Sequence, residues 1–163
     1  MNPSIRSAAL FGALLSLSGC SWSLMKGDGG PASSPAREAN DDIRRSERST
    51  SESHTISRLS VIERSLNDFI QAEKRIPRTL DELIPKYIAE IPEAELGVRG
   101  HKDSNAVKYY TAEIIVGGQV NGSRLKDTGG WGYVHNDRQV IIFVDCIHKM
   151  MDGKFWYQAR GVY

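Results

Sequence analysis

Two cysteines and four histidines are the side chains of this chain best suited to hold a metal or attack an electrophile. The histidines stand at positions 54, 101, 135 and 148, with no His-x-x-x-His and no Cys-x-x-Cys spacing between any of them. Cys146-x-His148 is the closest approach to a ligand pair, since residues two apart on a strand point to the same face. Two ligands fall short of the three or four that a zinc site requires. A Cys–His nucleophile is conceivable at the same place, but such a pair needs a third group to orient its base, and none is legible. The glycine-rich stretches "GGQVNG" and "TGGWGY" precede no helix start, so they read as turns and not as phosphate loops. The expectation is a non-enzymatic chain with no metal site and no cofactor. Cys146, inside "VIIFVDCIH", then reads as a small buried hydrophobe.

The other cysteine, Cys20, follows an apolar run from Ala8 to Leu17, with Arg6 just before it. Crossing a bilayer takes about 20 apolar residues, so this run is too short to span and stop. A cation, a short apolar stretch and small residues at its end describe a secretory signal peptide. Its boundary, Leu17-Ser18-Gly19-Cys20, resembles the lipobox of bacterial lipoproteins. That resemblance implies cleavage between Gly19 and Cys20, removal of residues 1–19, and attachment to the membrane through acyl chains on Cys20. One chain binds only marginally, at about 0.8 kcal/mol per buried methylene, and the several chains of that family hold firmly. Ser21 in place of an aspartate after the cysteine implies the outer membrane ahead of the inner one. If Cys20 is acylated, Cys146 has no intrachain disulfide partner.

Composition restricts the remaining possibilities. The chain carries 21 Lys and Arg against 20 Asp and Glu, and losing Arg6 with the signal brings the two into balance. Near-neutral charge gives no electrostatic footprint for nucleic acid. Residues 21–54 are rich in serine and mixed charge and poor in large apolar side chains. Such a segment buries too little to offset chain entropy, so residues 20–54 are expected to form a disordered, lipid-anchored tether. Its root-mean-square reach would be roughly 30–35 Å.

From Thr55 onward the pattern is that of a folded domain, residues 55–163. Ile56, Leu59, Ile62, Leu66, Phe69 and Ile70 recur at helical spacing and predict a long amphipathic helix ending before Pro77. Thr79 and Glu82 have capping-box spacing and predict a short helix that Pro85 breaks. "AVKYYTAEIIV" predicts a strand over 106–116. "WGYV" and "QVIIFVDCI" flank a four-residue turn and predict a hairpin, and "KFWYQARGVY" predicts a final edge strand. The unbroken apolar run Val140 to Val144 suggests a strand covered on both faces, or on one face with helix contacts besides. The class is α+β, with an antiparallel sheet of three to four strands. Trp131 and Tyr133 share a strand face, for which packing is the ordinary explanation. Left exposed, they and Trp156 would offer a contact surface to a protein or glycan.

The order of these elements, with "EKRIPRTLDELIPKYIAEIP" from Glu73 to Pro92 and "DTGGWGYVHNDRQVIIFVDC" from Asp127 to Cys146, resembles the globular head of type IV pilins and type II secretion pseudopilins. The departure is at the front: the long apolar, glutamate-bearing helix by which pilins polymerise is missing. The resemblance implies a pilin-like head that does not enter a filament by the usual route. Major pseudopilins bind calcium, but Asp127, Asn136, Asp137, Asp145 and Asp152 lack the dense oxygen-ligand spacing calcium demands. The expected function is therefore a membrane-anchored interaction domain serving an envelope assembly such as a secretion or pilus system, with envelope proteins as partners. The alternative is a small periplasmic ligand-binding or inhibitory lipoprotein of unrelated α+β fold, which a concave pocket would favour. A thiol enzyme built on Cys146 and His148 is a third possibility, and a buried Cys146 would tell against it.

Overall fold

The computed structural model describes residues 35–159. Gly19 and Cys20, and with them the expected signal boundary and lipidation site, lie outside the described residues. One long helix, α1 (Pro35–Glu73), leads the described chain. It begins well before the expected start at Thr55 and takes up the C-terminal part of the segment expected to be a disordered tether. Residues 35–54 have no apolar stripe, so hydrophobic periodicity is silent there. Local pairs support the helix instead, including Asp41–Arg44 at 2.6 Å and Arg48–Glu52 at 3.4 Å. Arg48 and Glu52 also reach the far end of the chain. The Arg48 guanidinium donates to the Lys149 carbonyl, and Glu52 accepts the Met151 N–H at 2.8 Å. The helix leaves through Lys74 in the left-handed region, φ 55°.

The expected short capped helix is a single 3-10 turn, Leu80–Leu83, that buries both leucines. Glu82 accepts from the backbone N–H groups of Arg78 and Thr79 at 2.6 and 3.4 Å, and Pro85 prevents continuation. After it come β1 (Val107–Tyr110), a small hairpin of β2 (Ile115–Val116) and β3 (Gln119–Val120), then β4 (Trp131–His135) and β5 (Val140–Val144). The main sheet has the order β1-β4-β5, and it is mixed instead of antiparallel. β4 and β5 form the expected hairpin, in register His135 to Val140 and Trp131 to Val144. β1 runs parallel to β4, because the β2–β3 excursion carries the chain back before β4 begins. The strand expected over 106–116 breaks at the 3-10 turn Ala112–Ile114. The expected last edge strand is a lone bridge, Lys149 to Phe155, followed by a 3-10 turn at Trp156–Gln158. There the indole of Trp156 is drawn into the core, which a solvated edge position does not permit.

All of β5 is buried, as its apolar run suggested. On one face Leu59, Ile62, Leu66 and Phe69 of α1 pack with Leu80, Leu83, Trp131, Tyr133, Ile142 and Val144. Each such aliphatic side chain contributes about 1.5–3 kcal/mol on burial. On the other face Ile114, Val134, Ile141 and Phe143 form a smaller cluster beneath the β2–β3 excursion. Gly132 lets the Phe143 ring lie flat on β4, since a Cβ there would strike it. Trp131, Tyr133 and Trp156 belong to the interior, which removes them as a contact surface. The buried polar ends of the first two are used internally. Trp131 Nε1 donates to the Pro92 carbonyl at 2.7 Å and the Tyr133 hydroxyl to that of Pro77 at 2.6 Å.

Candidate metal centre

Beyond the end of the β4–β5 pair opposite its turn, the ladder continues for two more residues. Asp145 N–H donates to Gly130 at 2.9 Å and Gly129 N–H to Asp145 at 3.0 Å. This lays residues 127–129 against 145–148. Cys146 then closes a tight turn by donating to Val144 at 2.8 Å, and the chain leaves the sheet. Asp127 sits in the left-handed region at φ 56°, a conformation aspartate tolerates better than most residues. Its Oδ1 accepts the Ile147 N–H at 2.9 Å, which fixes the carboxylate against the departing strand.

A third segment arrives from the loop before β1, which is closed by the Ala94–Ser104 bridge. It brings His101, whose ring lies on Gly129. A Cβ at position 129 would stand 2.6 Å from His101 Nδ1, and the backbone there has φ +79°, so glycine is required on two counts. His101 Nε2 is then 3.2 Å from Asp127 Oδ1 and 3.3 Å from His148 Nδ1. His148 Nδ1 is 3.4 Å from Cys146 Sγ and 3.8 Å from Asp127 Oδ1. The two imidazoles meet edge to face, with ring centroids 5.1 Å apart. One donor atom from each of His101, Asp127, Cys146 and His148 lies within 4.8 Å of every other.

The cluster is dry on one side and wet on the other. Cys146 is fully buried and the His101 side chain is 8% exposed, while those of Asp127 and His148 are 27% and 44% exposed. Burial, with the Asp127 and Asp145 carboxylates nearby, pushes the Cys146 thiol up to about 12 against the pull of the His148 N–H. A nucleophilic cysteine needs the opposite, a lowered pKa and access to solvent. Cys146 is the buried hydrophobe expected, and it is also a donor atom.

Two of the four members, Cys146 and His148, stand out in the sequence as a pair. His101 and Asp127 do not, because the parallel β1–β4 pairing that delivers their loops is invisible to local patterning. The other acidic and amide residues weighed for calcium are dispersed. Asp145 accepts from the Tyr110 hydroxyl at 2.8 Å and from that of Thr128 at 2.7 Å. Asn136 accepts from Arg138 and Gln139 in the hairpin turn, and Asp152 from Lys154. His54 faces Glu95 at 3.4 Å, away from the cluster. Among the described residues no helix is long and apolar enough to cross a membrane. No family model, curated protein or solved structure matches the chain.

Proposed function

We propose that this chain is a lipid-anchored protein of the bacterial cell envelope whose C-terminal domain is a non-enzymatic, pilin-like interaction module. Acyl chains on Cys20 hold it to the membrane, the outer membrane ahead of the inner, and it serves as an accessory part of an envelope assembly such as a secretion or pilus system. The observation that carries this reading is the division of α1. Its C-terminal half packs on the sheet, while residues 35–47 are exposed on every side. At about 1.5 Å per residue, that exposed portion is roughly 20 Å long. A head on a polar stalk suits a domain held off a membrane to meet a partner. The groove between Ile84, Glu90 and Tyr109 is wide and open to solvent, unlike the enclosed apolar pockets common in small-ligand binders.

The test has two arms. Metabolic labelling with a clickable fatty acid should mark the wild type and leave Cys20→Ala unlabelled and released from membranes. A photo-crosslinking residue at the exposed Ile43 should trap a discrete envelope protein in cells. Equal labelling and fractionation of the two forms would refute the anchor. Absence of any adduct at Ile43 and at the equally exposed Val116 would contradict an interaction role.

A further inference from the structure

We propose that His101, Asp127, Cys146 and His148 are a four-ligand zinc site that ties three loops together at the base of the sheet. The donor set is two imidazole nitrogens, one thiolate sulfur and one carboxylate oxygen, the types that zinc binds in tetrahedral protein sites. With Zn–N near 2.0–2.1 Å and Zn–S near 2.3 Å, tetrahedral ligand atoms stand about 3.3–3.6 Å from one another. Four of the separations, 3.2, 3.3, 3.4 and 3.8 Å, bracket that spacing. The set as a whole spans no more than 4.8 Å, so the widest pair would draw together by about 1 Å around a bound ion.

The surroundings are those of a metal site as well. The Ile147 N–H holds the Asp127 carboxylate in place, as outer hydrogen bonds orient ligands in metal proteins. Glycine at 129 allows His101 its position, and Asp127 occupies a left-handed conformation in the same turn. Sulfur on the dry side and the exposed His148 on the wet side give the ion an entry path without opening the core. On binding, the thiol proton passes to solvent and the sulfur becomes a thiolate ligand. Four protein ligands complete the coordination, so the site is a structural brace with no position left for a reacting water. A softer donor set would favour copper(I), and an all-oxygen one calcium or magnesium.

This inference is independent of the lipid anchor. It is tested on the full-length, untagged chain carrying Cys20→Ala, in which Cys146 is the remaining thiol. Cobalt(II) is added as the spectroscopic probe, then displaced with zinc, and melting is followed with zinc and with EDTA. The expected result is one equivalent of cobalt giving intense tetrahedral visible bands and a thiolate charge-transfer band. Zinc should bleach both and raise the melting temperature. His148→Ala, at an exposed position where folding is not at stake, should weaken cobalt and zinc binding by at least about tenfold. Cys146→Ser should remove the charge-transfer band, and where that variant unfolds, sulfur scattering in the zinc X-ray absorption spectrum of the parent chain gives the same information. His54→Ala should bind as the parent does. No thiolate band, six-coordinate cobalt, or equal binding by the parent and His148→Ala would overturn the proposal.

Discussion

The two ends of the β4–β5 pair have similar side chains and opposite fates. The turn end carries His135, Asn136 and Asp137, while the other end is flanked by Asp127, Cys146 and His148. At the turn end the polar groups serve the backbone. Asn136 Oδ1 accepts from Arg138 and Gln139 at 2.9 Å each, and the His135 ring leans on Tyr133 with centroids 5.8 Å apart. At the far end three chain segments cross, and their side chains aim at a common point. Residue type alone does not make a site. Convergence does, and here it comes from a parallel strand pairing that brings a distant loop and its histidine beside the hairpin.

Substitutions at the two ends should separate these roles. The largest effect is expected from Gly129→Ala, which forces a side chain into the left-handed region and against the His101 ring. A loss of about 1–3 kcal/mol in chemical denaturation is expected, together with loss of zinc uptake. Stable folding with zinc uptake intact would show that the ring does not depend on that close approach. Next comes Asn136→Ala at the turn end. Losing two short backbone contacts should cost about 1 kcal/mol and leave zinc affinity unchanged. If affinity fell with it, the two ends would be coupled and the contrast would fail. His135→Ala, an exposed position, should change stability by no more than about 0.5 kcal/mol and metal binding not at all.

The helix offers a parallel lesson on how much of this was legible in the sequence. Its packed half announced itself through Leu59, Ile62, Leu66 and Phe69, because burial imposes a period. The half from Pro35 onward has no such period. It is carried by local ion pairs and by the contacts of Arg48 and Glu52 with residues 149–151, about a hundred positions away in the chain. The β4–β5 hairpin was readable from its turn and its apolar run for the same reason. The sheet's parallel edge was not, since pairing direction follows from the route of the chain between strands. The site repeats the pattern. Cys146 and His148, two apart, could be seen as a pair, whereas His101 and Asp127 enter through tertiary crossings that leave no local trace. Trp131, Tyr133 and Trp156 show the converse, being large aromatics whose conspicuous types meant core.

The most direct test of the metal brace is the zinc content of the chain isolated from cells grown without added metal, measured by plasma emission beside His148→Ala. One zinc per wild-type chain, with the variant at background, is the predicted result. A wild-type chain at background, or a variant that retains the metal, would contradict it.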